Sequence, residues 1–130
     1  MRILFASLLL AACATAAETT PATRLAGCWA VRPPAHETMR WSADPEHAGV
    51  LQGLHQWSAG EARYSLEQQG DRWRFCRVGG ACWDVAEGQR GSLSGGRAFI
   101  DVTGADLRIS VVDAGGQAQS IFHGRRHGCS

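Results

Sequence analysis

The chain has 130 residues, of which 13 are arginine, none is lysine and 12 are aspartate or glutamate. The formal net charge of +1 is too small to attract DNA, RNA or an anionic membrane surface, and it argues against those partners. The length corresponds to one small domain, and 16 glycines with 5 tryptophans indicate a turn-rich, aromatic-cored globule instead of a disordered chain.

The first residues are typical of a secretory signal peptide. Arg2 carries a single positive charge, and the apolar run over residues 3–10 that follows it is too short to span a bilayer. Two processing sites fit this leader. Leu10-Ala11-Ala12-Cys13 is similar to the lipobox of bacterial lipoproteins, which predicts a signal peptide of residues 1–12 and lipidation of Cys13. Ala14-Thr15-Ala16 instead fits ordinary cleavage, with a signal peptide of residues 1–17.

Either site places the rest of the chain outside the cytoplasm, as a soluble periplasmic protein or as an outer-membrane lipoprotein. Residues 13–23 are small and polar, and they predict a flexible tether. Residues 24–130 then form a single domain, and a lipid anchor is the one membrane contact that the sequence predicts.

The domain contains four cysteines, at positions 28, 76, 82 and 129. In an oxidising compartment four thiols indicate two disulfides, for which three connectivities exist. No Cys-x-x-Cys pair is present, so the spacing argues against a zinc site. We therefore expect a disulfide-stapled domain without a metal or another cofactor.

Turn signals rich in glycine and proline recur every eight to twelve residues, as in an all-β protein. Between them the apolar residues alternate with polar ones. Ala62, Tyr64 and Leu66 share one face of a strand, and residues 107–111 repeat this period of two. We predict a small antiparallel up-and-down meander of eight or nine strands and no helix.

One hairpin is predicted residue by residue. If residues 78–80 form a three-residue loop, residues whose numbers add up to 158 lie opposite each other. A two-residue turn at residues 79–80 would put two cysteines on opposite faces, so the longer loop is favoured. The favoured register makes four matched pairs, a disulfide, a charge pair and two apolar pairs: Cys76 with Cys82, Arg74 with Asp84, Phe75 with Trp83 and Trp73 with Val85.

The second disulfide follows by elimination and joins Cys28 to Cys129. It ties the first strand to the last residues, which a closed or nearly closed barrel would permit.

The string Leu25-Ala26-Gly27-Cys28-Trp29 resembles the opening strand of a family of small secreted bacterial β proteins whose function is unassigned. More distantly, Gly27-x-Trp29 is similar to the opening of the calycins, the lipocalins and fatty-acid-binding proteins. Those barrels close with an arginine from the last strand that packs over the tryptophan ring. The resemblance implies a calycin-like barrel or half-barrel, with Arg125 stacked on Trp29 by a cation–π contact. The alternative is that Arg125 is solvated at the strand end.

The large aromatic residues are the candidate ligand site. They could line a pocket for an apolar or aromatic ligand, or they could fill the core of a barrel that is small enough to be packed by its own side chains. The direction of Trp57 is ambiguous, because both faces of the segment before it are mixed. The candidate ligand-binding residues, with Arg125 as the polar member, are Trp29, Trp41, Trp57, Tyr64, Trp73, Phe75 and Arg125.

Two kinds of chemistry are not expected. His123 and His127 share a strand face with Cys129, but strand residues four apart are roughly 13 Å from each other, too far to bind one metal ion together. No Gly-x-Ser-x-Gly, His-Glu-x-x-His or phosphate-loop motif is present, and disulfides would consume the thiols. We therefore expect no enzyme.

The sequence thus predicts a non-catalytic binding protein of the bacterial cell envelope that holds a small apolar or aromatic ligand. The alternative is a module for an envelope protein partner, such as an inhibitor or interaction protein, that uses loop tips at residues 44–49 and 87–91. A fold of this class serves both uses and does not decide between them.

Overall fold

The structure is a computed structural model that describes residues 20–32, 36–86 and 96–129. Within these ranges one short helix precedes nine strands, which close into a barrel in chain order, with the last strand paired to the first. The elements are α1 (Pro21–Leu25), β1 (Gly27–Ala30), β2 (Thr38–Ala43), β3 (Val50–Trp57), β4 (Gly60–Gln69), β5 (Arg72–Arg77), β6 (Cys82–Val85), β7 (Arg97–Thr103), β8 (Asp106–Val112) and β9 (Ala118–His127).

The all-β fold class is confirmed, and the closed barrel is consistent with a calycin-like architecture. One strand pair differs from the expected antiparallel meander, because β6 and β7 are parallel and pair Asp84 with Arg97 and Val85 with Ala98. Residues 86–96 separate these two strands in the chain, and parallel neighbours need a longer connection than the short turns that join antiparallel pairs elsewhere.

The helix α1 corrects the expectation of a tether through residue 23 and of no helix. Thr20 caps it, since the Thr20 hydroxyl accepts a hydrogen bond of 3.2 Å from the Thr23 N–H, and Pro21 occupies the first helical turn. Pro21 and Leu25 are buried, so the helix α1 packs onto the barrel. The leader, Cys13 and the rest of the predicted tether lie outside the described residues. Within the described ranges no helix is long and apolar enough to cross a membrane.

The inside of the barrel is filled by alternate residues of the strands. Trp29 is fully buried, and its indole N–H donates a 2.9 Å hydrogen bond to the carbonyl of Leu25. Trp41 lies over Gly53, where a Cβ atom would come within 2.7 Å of the indole ring, so only glycine leaves room for it. The buried core comprises Leu25, Trp29, Met39, Trp41, Leu51, Ala62, Tyr64, Leu66, Trp73, Phe75, Ala98, Ile100, Leu107, Ile109, Val111 and Phe122.

Both predicted disulfides are confirmed. Cys76 and Cys82 face each other across the β5–β6 hairpin, in the register that also pairs Phe75 with Trp83 and Arg74 with Asp84. Cys28 and Cys129 are joined although they are 101 residues apart in the chain. By the chain-entropy relation, the long closure contributes about 4–5 kcal/mol and the short one about 2 kcal/mol to stability.

Candidate functional site

The structure places five of the six predicted aromatic ligand residues inside the barrel. Their exposed fractions run from 0% for Trp29 and Phe75 to 7% for Trp73. Tyr64 stacks on Phe75 with ring centroids 5.1 Å apart, and Trp41 contacts the same ring at 6.1 Å. This packing is what the core-filling alternative predicts. A ligand held among these residues stays a prediction.

Trp57, the sixth residue, lies at the end of β3 and is 37% exposed. Its ring lies 4.8 Å from that of His55, which points into the barrel and is 7% exposed. The Nε2 atom of His55 is 2.7 Å from a carboxylate oxygen of Glu37. This pair is not among the sequence predictions, because the two residues are 18 positions apart and belong to no motif. In the sequence, only the alternation of Leu51, Gly53 and His55 along β3 indicates that His55 faces inward.

Arg125 is not the residue that covers Trp29. Arg126 takes this place, with its guanidinium carbon 4.1 Å from the centroid of the Trp29 ring and hydrogen bonds to the carbonyls of Ala26 and Arg24. Arg125 points away from the core and pairs with Asp106 at 3.4 Å. The reason is the strand's alternation: Phe122 and Gly124 are buried on β9, so from Phe122 onward the residues of even number face inward.

A groove of about 480 Å³ lies on the outer face of β2, β3 and β4. We call it the outer groove. Its lining is made largely of the outward-facing residues of these strands, together with residues of the β2–β3 loop and of the β5–β6 turn: Arg40, Ser42, Asp44, His47, Val50, Gln52, Gly53, Leu54, Arg63, Tyr64, Ser65, Glu67 and Val78.

The strand register arranges nine of these residues in three rows across the sheet. Arg40, Leu54 and Arg63 form a basic row, in which the leucine is the direct neighbour of both arginines. Ser42, Gln52 and Ser65 form a polar row in the same way. Asp44, Val50 and Glu67 form the third, acidic row. Val50 is the direct neighbour of Glu67, and the Val50 carbonyl accepts a 2.9 Å hydrogen bond from the Asp44 N–H.

Asp44 fixes the β2–β3 loop against the end of the groove. Its carboxylate accepts hydrogen bonds from the Glu46 backbone N–H at 2.9 Å and from the Gln52 side chain at 2.9 Å, and the ring of His47 lies 3.1 Å away. The Glu46 N–H, followed by His47 and Gln52, holds the pKa of Asp44 below its ordinary value of 3.8, although desolvation opposes this shift. The acidic row therefore carries a fixed negative charge at neutral pH.

The basic row differs from Asp44 of the acidic row, because neither of its two charges is held by hydrogen bonds to the protein in the described part of the chain. Within the described ranges, neither the Arg40 nor the Arg63 guanidinium has a hydrogen bond or ion pair. Both side chains are exposed and line the same cavity as the apolar Leu54. A smaller groove of about 330 Å³ continues on the other side of Arg40 and Leu54 toward the Cys28–Cys129 disulfide.

The outer groove is not among the features predicted from the sequence, although residues 44–49 are predicted to be a contact loop for a partner. Its sign in the sequence is the set of polar positions of β2 to β4, where serines alternate with longer polar side chains. The large aromatic residues predicted to bind a ligand on these strands lie on the opposite face. The other predicted loop tip, residues 87–91, lies outside the described residues.

No group of three or more histidine, cysteine or carboxylate side chains in the described ranges is placed to hold a metal ion. Cys129, which shares a predicted face with His127, is bound in its disulfide. Comparison of the chain with family models, with curated proteins and with solved structures finds no match, so the resemblance to small secreted β proteins and to calycins stays a prediction.

Proposed function

We propose that this protein is a non-catalytic binding protein of the bacterial cell envelope that holds a small ligand in the outer groove. The observation that carries the proposal is the groove itself, in which two guanidinium groups without a partner among the described residues flank the apolar Leu54, and a hydrogen-bonded loop forms the other end. Its volume of about 480 Å³ is within the usual range of small-molecule sites, which combine apolar surface with a few polar groups.

The barrel interior supports a ligand less well than the outer groove does. Trp29, Phe75 and their neighbours are buried against one another, and a molecule among them would have to displace packed side chains. Protein cores of native density resist such insertions, because added volume forces strained rotamers. The outer groove needs no such rearrangement.

Two disulfides are typical of proteins that fold in an oxidising compartment. The apolar leader supports secretion, and the sequence around Cys13 supports a lipid anchor. We extend the proposal to a periplasmic or outer-membrane location on these grounds. The mass of the protein purified with its own leader decides between the lipidated and the soluble form.

A fragment titration followed by NMR tests the site. The backbone amides of Ser42, Gln52 and Ser65 report on the outer groove, whereas the indole N–H groups of Trp29 and Trp73 report on the interior. We expect small aromatic and aliphatic carboxylates to shift the groove amides. Shifts confined to the indole signals would move the site into the barrel and overturn the proposal.

A matched pair of variants sharpens this test. Ser65→Trp fills the centre of the outer groove and should abolish the fragment shifts. Ser120→Trp adds the same side chain at an exposed position of β9 and should leave them unchanged. Equal binding by both variants would also contradict the proposal.

A second candidate, the module for a protein partner, is supported by a different observation. Trp57 and Val78 are the exposed large hydrophobic side chains in the described ranges, at 37% and 62% exposure. They lie at the same end of the barrel, because the Val78 N–H bonds to the carbonyl of Arg63, near the start of β4. A photo-crosslinker at position 78 should then give one discrete adduct in cells that is lost in Trp57→Ser and absent from a control at position 115.

A further inference from the structure

We infer that the ligand of the outer groove is a short extended peptide with both termini free, three or four residues long. This inference rests on the proposed function and names its ligand class. It comes from the order of the three rows, which places cationic groups at one end of the groove, hydroxyl and amide groups in the middle, and carboxylates at the other end.

The distance between the charged rows sets the length of the ligand. Leu54 and Val50 belong to the same strand and are four residues apart, which corresponds to about 13 Å along β3. An extended peptide covers about 3.3–3.6 Å per residue, so three or four residues bring its two termini to opposite ends of the groove. A single amino acid is too short to reach both rows.

The basic row fits a carboxylate. Arg40 and Arg63 flank Leu54 on the two neighbouring strands, and strands are spaced about 4.8 Å apart, so the two Cα atoms are separated by about 10 Å. Guanidinium groups from both sides can therefore converge above the leucine. Arginine pairs with carboxylates through parallel, charge-assisted hydrogen bonds, and both groups are free of other partners in the described part of the chain.

The acidic row fits an ammonium group. Glu67 supplies the carboxylate that is available for contact, and Asp44 adds a negative charge that its loop hydrogen bonds keep in place. Arg74 is the neighbour of Glu67 on β5 and does not line the groove, so it weakens the negative charge without filling the site. We therefore expect the amino terminus to contribute less to affinity than the carboxylate does.

The middle row fits the peptide backbone. Gln52 already donates to Asp44, but the Ser42 and Ser65 hydroxyl groups have no other partner within the described ranges. A hydroxyl group both donates and accepts, so it can bond to either the N–H or the carbonyl of a peptide unit regardless of the peptide's side chains. The groove is accordingly expected to select the peptide's length and termini more strongly than its sequence.

The test uses tetra-alanine and its capped forms as probes for the disulfide-bonded protein, by calorimetry and by the groove amide shifts. Free tetra-alanine should bind. Amidation of its carboxylate should weaken binding about 10-fold, the effect of one charge-assisted hydrogen bond, and N-acetylation should weaken it less. Arg63→Gln should lower affinity for the free peptide but not for the amide, while Arg108→Gln, on the outer face of β8, should change neither.

Two other results separate the inference from the function on which it rests. If free and capped peptides bind equally, or if fragment carboxylates shift the groove amides and tetra-alanine does not, the peptide inference is overturned while the outer groove stands as a binding site. If neither fragments nor peptides shift the amides of Ser42, Gln52 and Ser65, the proposed function and the inference both fail.

Discussion

The inner and outer faces of β2, β3 and β4 are made from alternate residues of the same three strands, but the inner face forms a packed core and the outer face forms a groove. The inner face carries Trp41, Tyr64 and Leu66, which are at most 5% exposed and pack into a continuous core. The outer face carries arginines, serines and carboxylates, and it bears the outer groove. The largest aromatic side chains therefore mark where the barrel is filled, and the groove lies on the polar face behind them.

The difference has a simple steric origin. Bulky rings on short strands fill the interior of a small barrel. On the outer face Ser42 and Ser65 are short, whereas Arg40 and Arg63 before them are long, so a depression forms between the rows. The loop that Asp44 holds forms the end of this depression.

The largest expected effect is a difference in unfolding free energy between a substitution on the inner face and one on the outer face. Phe75→Ala removes a fully buried ring that contacts Tyr64 and Trp41, and it should lower the free energy of unfolding by about 3–5 kcal/mol. Leu54→Ala, on the outer face, should cost less than about 1 kcal/mol. Urea unfolding with the disulfides intact measures both, and equal losses would contradict the assignment of the two faces.

Glycine positions give the next largest contrast. Gly53→Ala places a Cβ atom 2.7 Å from the buried ring of Trp41, so we expect a loss of about 1–3 kcal/mol from overpacking. At Gly80 the nearest atoms, from Arg77, lie at 3.6 Å, and alanine there should change stability by less than about 0.5 kcal/mol. A stable Gly53→Ala protein would show that Trp41 does not pack as described.

A smaller effect is expected where the barrel closes over Trp29. Arg126→Gln removes the stacked guanidinium and its bonds to Ala26 and Arg24, and it should cost about 1–2 kcal/mol. Arg125→Gln breaks only an exposed pair with Asp106 and should cost at most about 0.5 kcal/mol. Thermal unfolding of the two variants measures both losses. If Arg125 were the residue that covers Trp29, Arg125→Gln would be the less stable variant.

The smallest effect concerns the loop at the groove and depends on pH. Because the pKa of Asp44 is lowered on folding, its carboxylate stabilises the native state above 3.8, and this contribution is lost as the pH falls through the lowered pKa. Asp44→Asn should therefore be less stable than the wild type at pH 7, and the difference should disappear toward pH 2. Melting temperatures across this range provide the measurement; a constant difference would contradict the assignment.

Local rules in the sequence were sufficient for the β5–β6 hairpin and its disulfide, and the Cys28–Cys129 disulfide then followed by elimination. The position of Cys76 and Cys82 around a three-residue loop fixes which residues face each other, and the structure pairs them accordingly. Likewise, the alternation of Ala62, Tyr64 and Leu66 predicts the buried face of β4. These features depend on neighbours in the chain, so the sequence contains the information that they need.

The remaining features depend on distant contacts. The choice between Arg125 and Arg126 depends on which residues of β9 face inward, and in the sequence only Phe122 and Gly124 indicate this. The parallel pairing of β6 with β7 is not determined by a tight turn, because residues 86–96 separate the two strands in the chain. The outer groove requires the register of three strands and the position of a loop, because Arg40 and Arg63 become neighbours of one leucine only in the folded sheet.

The Cys28–Cys129 disulfide also determines how the domain bears mechanical load. Any pull between the segment before α1 and the C-terminus passes from residue 28 to residue 129 through one covalent bond, and the strands between them carry no tension. If the chain is anchored at Cys13 and its end is pulled, the barrel keeps its shape until that bond is reduced. Reduction would convert the same pull into a force that peels β1 and β9 apart, beginning at Cys28 and His127.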